Sequence, residues 1–144
     1  MTINPVIDML GRRLRLAVVG GGPGSFIGST HRQAARLDNR YQIVAGVLSS
    51  DPEKSMRAGI EIGLSADRAY GTVQEMLAAE AVRDDGVDVV AVMTPNDTHY
   101  KYASAAIASG FDVICDKPMT NTLQEAQALH DEVMKSGLVF CLTH

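Results

Sequence analysis

The sequence has little of what would mark a secreted, membrane-bound or nucleic-acid-binding protein. Its two cysteines lie in apolar runs without the spacing of a metal site, which favours buried thiols in a reducing cytoplasm. No apolar run approaches the roughly 18 residues that span a bilayer, and the first apolar stretch precedes its charges, unlike a signal peptide. With 13 basic and 17 acidic residues, the net charge of −4 argues against a nucleic-acid surface. We therefore expect a cytoplasmic protein without a membrane or nucleic-acid partner.

What the chain does contain is a regular alternation of strand-like and helix-like segments. Its 144 residues, 46 % of them hydrophobic, suffice for one domain with a proper core. Strands joined by helices of about ten or more residues require right-handed crossovers and a parallel sheet. The pattern predicts a doubly wound α/β fold (Rossmann fold) of about six strands with helices on both faces, spanning residues 14–144 after a loosely ordered lead-in at 1–13. Strands are predicted at 14–20, 42–49, 69–70, 87–94, 111–115 and 138–142, and helices at 27–37, 52–62, 72–83, 98–109 and 122–136.

A glycine-rich loop lies in the segment VVGGGPGSFIGSTHR, residues 18–32. A pyrophosphate binds where backbone N–H groups and a helix N-terminus converge, so side chains at such a turn must be small. Gly20, Gly22 and Gly28 would supply a tight turn, a close backbone approach and close packing of helix on strand. The interval from Gly22 to Gly28 is three residues longer than in G-x-G-x-x-G, and Ser25 within it could donate a hydroxyl to phosphate. A turn without a ligand is the alternative, but the place after the first strand favours a cofactor loop.

Small and polar residues also follow the other predicted strands. Ligands of open parallel sheets bind beyond the carboxyl ends of the strands, so these residues are expected to share one rim. They are Ser49, Ser50 and Asp51 after the second strand, Thr94, Pro95 and Asn96 after the fourth, Asp116, Lys117 and Pro118 after the fifth, and Thr143 and His144 after the sixth.

Two of these rim segments, together with the glycine loop and His31, carry a resemblance to a known family. TPNDTHYKYASAAIASG (94–110) is similar to the T-P-N-x-x-H segment and following helix of the glucose-fructose oxidoreductase/inositol dehydrogenase (Gfo/Idh/MocA) family. FDVICDKPMTNTLQEA (111–126) is similar to its V-x-x-E-K-P segment. The likeness covers residues 14–144. The sequence departs from the pattern in two ways, since Asp116 replaces the family's glutamate and the glycine loop is three residues longer.

The resemblance implies an NAD(P)-dependent oxidoreductase that transfers hydride between a nicotinamide cofactor and a sugar, polyol or related hydroxyl substrate. Members of the family add a larger C-terminal α/β domain with an open antiparallel sheet, which carries much of the substrate site, a catalytic histidine and the oligomer interface. The sequence stops where that domain would begin. We therefore expect a cofactor domain that binds NAD(P) without being catalytically competent alone, and a homo-oligomer when the protein is full length.

The family's residue roles fall on positions that match its motifs. Lys117 takes the catalytic role of positioning the reacting hydroxyl and tuning proton transfer, with a solvated lysine as the alternative. Pro95 and Asn96 would face the nicotinamide ribose and ring, although a turn and helix cap also explain them. His99 suits packing or a hydrogen bond near the site better than direct catalysis, and no metal ligands are expected. The residues predicted to bind cofactor are Gly20, Gly22, Ser25, Phe26, Ile27, Ser49, Ser50, Thr94, Pro95, Asn96, His99, Asp116 and Pro118.

The end of the second strand bears on the choice between NAD and NADP. An acidic residue there would bind the adenosine ribose hydroxyls and select NAD. Ser49 and Ser50 stand at this place, and Asp51 is explained as the N-cap of the next helix. Because no carboxylate repels a 2′-phosphate, and Lys54 or Arg32 could help to accept one, we expect a slight preference for NADP.

Two other functions compete with that of an oxidoreductase cofactor domain. A stand-alone nucleotide-binding domain that senses redox state is the main alternative. A methyltransferase-like domain that binds S-adenosylmethionine is a third possibility. Lys117 favours the oxidoreductase over the sensor, because a sensor has no use for it, and the Lys-Pro segment argues against the methyltransferase.

Overall fold

Five parallel strands form a single sheet in the part of the chain that the computed structural model describes, residues 4–144. The strands are β1 (Leu14–Gly20), β2 (Tyr41–Val47), β3 (Val89–Met93), β4 (Asp112–Cys115) and β5 (Phe140–Leu142). They lie in the order β2-β1-β3-β4-β5. The chain therefore builds from β1 to β2 and then returns to the other side of β1. This reversal creates a switch point between β1 and β3, where ligands of such sheets bind.

Six α-helices within the same residues precede and connect the strands. Thr72 and Glu75 form a capping box at the start of α4, and Gly137, with a φ of 71°, ends α6. Local capping residues therefore begin and end these helices. The helices are α1 (Pro5–Leu10), α2 (Phe26–Leu37), α3 (Pro52–Glu61), α4 (Val73–Ala81), α5 (His99–Ala108) and α6 (Leu123–Ser136).

The sheet is buried on both faces, which explains why its strands are continuous apolar runs. Successive side chains of a strand point to opposite faces. On one face Val19 belongs to a core cluster with Met76 of α4 and Leu129 of α6. On the other face Val18 clusters with Ala35 of α2. Helices thus cover both faces, and the predicted doubly wound α/β fold is confirmed.

The predicted third strand at residues 69–70 is wrong, so the sheet has five strands rather than about six. Ala69 makes a single parallel bridge to Gly46 beside β2. The N–H of Tyr70 donates to the Gly46 carbonyl at 3.0 Å. The Tyr70 carbonyl, however, accepts a hydrogen bond from the Ser55 hydroxyl at 2.6 Å instead of a strand partner. The chain then enters α4, which leaves no residues to extend a ladder.

Residues 4–13, the described part of the predicted lead-in, contain α1 and are held by specific hydrogen bonds, whereas residues 1–3 of the lead-in lie outside the described residues. The side chain of Asn4 caps α1 and also donates to the carbonyl of Asn39 at 2.8 Å. Arg12 forms a two-point ion pair with Asp88, at 2.6 and 2.9 Å, and the N–H of Arg15 donates to the same carboxylate at 2.7 Å. Although burial opposes ionisation, these hydrogen bonds hold the pKa of Asp88 below its usual value. Local caps and long-range pairs of this kind order the segment.

Only one of the two cysteines is buried, contrary to the expectation for both. Cys115 ends β4 inside the core, where burial raises the pKa of its thiol to about 12. Cys141 is exposed in β5, which lies at one end of the strand order. The apolar run around it therefore belongs to an edge strand rather than a central one.

Among residues 4–144, no helix combines the length and the apolar character that a membrane span needs.

Candidate functional site

A cavity of about 590 Å³ opens at the carboxyl ends of β1, β2 and β3. Gly20, the last residue of β1, pairs in register with Met93, the last residue of β3, so the loops that follow meet at the switch point. Seven predicted site residues line the cavity: Gly20, Ser25, Ile27, Ser49, Ser50, Thr94 and Pro95. The other lining residues are Val19, Gly21, Val47, Leu48, Val73, Met93, Asp97, Thr98 and Tyr102.

The centre of the glycine loop is packed so closely that it has no room for side chains. A Cβ on Gly28 would overlap the carbonyl of Gly21, and a Cβ on Gly21 would lie 2.7 Å from the Gly28 Cα. Gly20 has a φ of 82°, and a Cβ there would lie 2.8 Å from the Met93 carbonyl oxygen. Arg32 of α2 fixes the loop further by donating to the Gly21 carbonyl. The first turn of α2 therefore lies directly against the loop after β1, as a pyrophosphate cradle requires.

The three inserted residues shape the start of α2. The N–H of Ser25 donates to the Gly22 carbonyl at 3.0 Å, which closes a turn. The Ser25 hydroxyl oxygen then accepts from the Gly28 N–H at 3.2 Å as the N-cap of α2. Because this oxygen acts as an acceptor, the hydroxyl proton is free to donate into the cavity that Ser25 lines. Phe26, in contrast, is 84 % exposed and lies outside the cavity lining.

The segment after β2 is held by a fully buried serine that sequence reasoning missed. The Ser55 hydroxyl oxygen accepts from the Leu48 N–H at 2.9 Å. The Ser49 hydroxyl oxygen accepts from the Asp51 N–H at 3.1 Å, and the Asp51 carboxylate caps α3 as predicted. The polar side chains that this segment gives to the cavity lining are therefore Ser49 and Ser50, not an acid.

Sequence reasoning also missed much of the cavity wall. Val73 at the start of α4 and Tyr102 of α5 both line the cavity. Thr98 lines it as well, and its hydroxyl lies 2.7 Å from the hydroxyl of Thr94. Tyr102 lies one helical turn after Thr98 and would have been found only if Thr98 had been assigned to the site. Nothing local marked Val73, because the residues around it in the cavity come from strand ends and loops distant in the sequence.

The segment that contains Lys117 leaves β4 at the same edge of the sheet but lies outside the cavity lining. Lys117 is exposed, and its peptide bond to Pro118 is cis. The Asp116 carboxylate accepts from the Thr143 hydroxyl at 2.9 Å and lies 3.9 Å from Nε2 of His31. The aspartate is thus hydrogen-bonded to the residue that follows β5, while the lysine is exposed at the edge of the sheet where the strands end. A catalytic role for Lys117 stays a prediction.

Two residues of the T-P-N-x-x-H segment differ sharply in burial. Asn96 is exposed at the start of a 3₁₀ turn. His99 is 1 % exposed, and both of its ring nitrogens lie within hydrogen-bond distance of backbone carbonyls. A ring so enclosed is not accessible to a nucleotide in the cavity, so a hydrogen-bonding role suits it better than cofactor contact. The predicted residues that lie outside the cavity lining are Gly22, Phe26, Asn96, His99, Asp116, Lys117 and Pro118.

Gly22 has a packing role that explains its place outside the lining. A Cβ on Gly22 would lie 2.5 Å from the carbonyl oxygen of Leu48. The loop after β1 therefore packs on the end of β2 at this glycine.

The described residues contain no group of three or more His, Cys, Asp or Glu side chains that could hold a metal ion.

A parallel sheet, a switch-point cavity and a glycine loop against a helix N-terminus together define a dinucleotide-binding Rossmann domain. The family model of the Gfo/Idh/MocA proteins, described as an oxidoreductase family with an NAD-binding Rossmann fold, matches residues 14–144. The chain belongs to this family. The resemblance read from the rim motifs is therefore confirmed.

Three relatives show how far the similarity extends. The uncharacterised oxidoreductase YfiI of Bacillus subtilis (strain 168) is 39 % identical over 94 % of this chain and 35 % of its own length. The inositol dehydrogenase homolog of Azotobacter vinelandii, solved with NADH and myo-inositol, has a TM-score of 0.89 and 37 % identity over 92 % of this chain and 35 % of its own. An oxidoreductase of Sinorhizobium meliloti has a TM-score of 0.87 and 47 % identity, over 92 % of this chain and 37 % of its own. The chain thus spans about a third of each relative.

Proposed function

We propose that this chain binds a nicotinamide dinucleotide in the switch-point cavity. The observation that carries the proposal is the close approach of Gly21 and Gly28, where no side chain has room. The first N–H groups of a helix have no partner within the helix, and the helix dipole favours an anion there. A pyrophosphate between the glycine loop and the start of α2 would meet uncovered backbone and the hydroxyl of Ser25. The glycine cradle and the cavity volume fit such a group.

The remaining lining residues suit the two ends of the same ligand. Ser49 and Ser50, at the end of β2, can donate to the adenosine ribose. Val73 and Tyr102 offer apolar surface to the adenine ring. Pro95, after β3, would contact the nicotinamide half. When bound, the nicotinamide supplies the hydride acceptor or donor, and the residues of this chain bind and orient it.

The whole protein is proposed to be an oxidoreductase that acts on a hydroxyl of a sugar or polyol. Support comes from the family and from the inositol dehydrogenase homolog, which was solved with myo-inositol. Lys117 stands at the rim, where its ammonium can hold the substrate hydroxyl and exchange a proton with it. By the same resemblance the full-length protein is proposed to be a homo-oligomer. The composition and the net charge of −4 support a cytoplasmic protein with neither a membrane nor a nucleic-acid partner.

Replacing Lys117 by alanine in the full-length protein is expected to lower kcat by about 100- to 10,000-fold, the range of general acid–base catalysis. Nucleotide affinity should change by less than about threefold, because Lys117 lies outside the cavity lining. Turnover over a panel of sugars and polyols, together with nucleotide titration, measures both effects. Lys135→Ala, an exposed lysine at the end of α6, is the matched control. Normal turnover of Lys117→Ala would show that the lysine is not catalytic.

The proposed cofactor preference is a slight one for NADP. Lys54 and Arg57 line a shallow groove of about 320 Å³ that also reaches Ser49, and these cations can face a 2′-phosphate. Arg32, the other cation considered, instead donates to the Gly21 carbonyl. Glu61 shares the groove, and its negative charge keeps the preference small.

Calorimetric titration of the chain is expected to give tighter binding of NADPH than of NADH. Lys54→Ala should weaken NADPH binding by about 2- to 5-fold, since an exposed charge pair contributes up to about 1 kcal/mol. The same variant should leave NADH binding unchanged, which makes NADH the internal control. Equal or tighter binding of NADH by the unaltered chain would contradict the preference.

A further inference from the structure

His99 bonds to two rim segments that are far apart in the sequence. Its Nδ1 lies 2.6 Å from the carbonyl oxygen of Pro118, and its Nε2 lies 2.9 Å from that of Thr94. Thr94 follows β3 and lines the cavity, whereas Pro118 is the residue after Lys117. Among the hydrogen bonds of residues 4–144, His99 provides the one side chain that bonds to both segments.

The chemistry of these contacts constrains the ring. A carbonyl oxygen can only accept a hydrogen bond, and a neutral imidazole has one N–H. His99 therefore donates to at least one of the two carbonyls, and its ring lies between them. The ring itself is 1 % exposed, so solvent has little access to its two nitrogens.

We propose that His99 is a positioning residue, which holds the Lys117 segment at a fixed distance from the nucleotide cavity because its ring lies between the two carbonyls and hydrogen-bonds there. The ring sets the backbone on either side of the site without touching substrate or cofactor. The T-P-N-x-x-H segment and the Lys-Pro segment, by which the family was recognised, therefore contact each other through the ring of His99. The part about Lys117 rests on the proposed function, whereas the hydrogen-bonded placement of the ring between the two segments does not.

The hydrogen bond of the ring is tested on the chain itself with ¹⁵N-labelled histidine. Nuclear magnetic resonance should show a ring N–H of His99 in slow exchange with water, because the ring is buried and donates to a backbone carbonyl. His130 is exposed and provides the reference for a solvated ring. A His99 ring proton that exchanges with water as fast as that of His130 would overturn the contact between the two segments whatever the protein's activity proves to be.

The positioning role is tested in the full-length protein with two variants. His99→Phe keeps a planar ring without donors, and kcat should fall by about 10- to 100-fold while nucleotide affinity stays within about threefold. His99→Gln restores one donor and should recover part of the loss. Tyr70→Phe, which removes a hydroxyl that donates to Glu80 away from the rim, is the matched control and should keep full turnover.

The outcomes separate this proposal from the proposed function. If Lys117→Ala and His99→Phe both keep normal turnover, Lys117 is not catalytic and its positioning has no consequence. If Lys117→Ala loses turnover but His99→Phe keeps it, the lysine is catalytic and the positioning role of His99 is wrong. If His99→Phe fails to fold, comparison of His99→Gln with the unaltered protein still decides, because a merely structural role would not lower kcat at constant nucleotide affinity.

Discussion

Alanine in place of Gly28 is expected to weaken nucleotide binding by about 10- to 100-fold. The new Cβ would overlap the Gly21 carbonyl, so α2 must move away from the loop that follows β1. Overpacking at a closely packed position costs about 1–3 kcal/mol, and each 1.4 kcal/mol corresponds to a tenfold change in affinity. The movement also withdraws Ser25, whose hydroxyl oxygen accepts from the Gly28 N–H. Titration calorimetry with NADPH measures the loss.

A control on the same helix separates this effect from a general disturbance of α2. Gln33 is exposed, and Gln33→Ala should bind nucleotide as the unaltered chain does. Thermal unfolding of both variants shows whether Gly28→Ala is folded at the temperature of the titration. Unaltered affinity in a folded Gly28→Ala variant would mean that the close approach of loop and helix has no part in binding.

Alanine in place of Glu80 is expected to lower the free energy of unfolding by about 3–5 kcal/mol, the usual cost of breaking a buried ion pair. The Glu80 carboxylate is 1 % exposed and accepts from the Arg68 guanidinium, the Tyr70 hydroxyl at 2.8 Å and the Val87 N–H at 3.1 Å. Its removal leaves the buried charge of Arg68 without this partner. Burial and the bond to Glu80 raise the pKa of Tyr70 to about 12.

Urea denaturation measures the loss, and a surface pair provides the comparison. Glu53 and Arg57 lie one helical turn apart on α3, 3.7 Å from each other and both well exposed. Glu53→Ala removes the same carboxylate from a solvated pair and should leave the free energy of unfolding almost unchanged. Similar losses for Glu80→Ala and Glu53→Ala would contradict the importance of burial.

The sequence predicted the strands best, because a sheet covered on both faces requires continuous apolar runs. Asp51 also marked a helix start, since its carboxylate accepts a hydrogen bond from an N–H in the first turn of α3. The prediction of a short third strand was wrong because local propensity does not reveal that the Ser55 hydroxyl donates to the carbonyl of Tyr70. The prediction that Cys141 is buried was wrong because an apolar run does not show whether its strand lies at the edge of the sheet.

The candidate site was predictable where it depends on backbone and unpredictable where it depends on neighbours distant in the chain. The glycine loop and Ser49 could be placed because strand ends share one rim. Gly21 was overlooked, since its close contacts come from Gly28 and Met93. Only one local feature of the sequence indicated that Glu80 is buried with Arg68: the carboxylate occurs at helical spacing with the apolar residues of α4.

The central claim is that a nicotinamide dinucleotide lies in the switch-point cavity, against the glycine loop. Nuclear magnetic resonance of the ¹⁵N-labelled chain during titration with NADPH tests it most directly, because each backbone amide reports on its own surroundings. The amide signals of Gly20, Gly21, Ser49 and Thr94 are predicted to move together and saturate, while those of α6 on the far side of β4 stay in place. Saturable shifts confined to other surfaces, or no shifts at all at millimolar nucleotide, would contradict the claim.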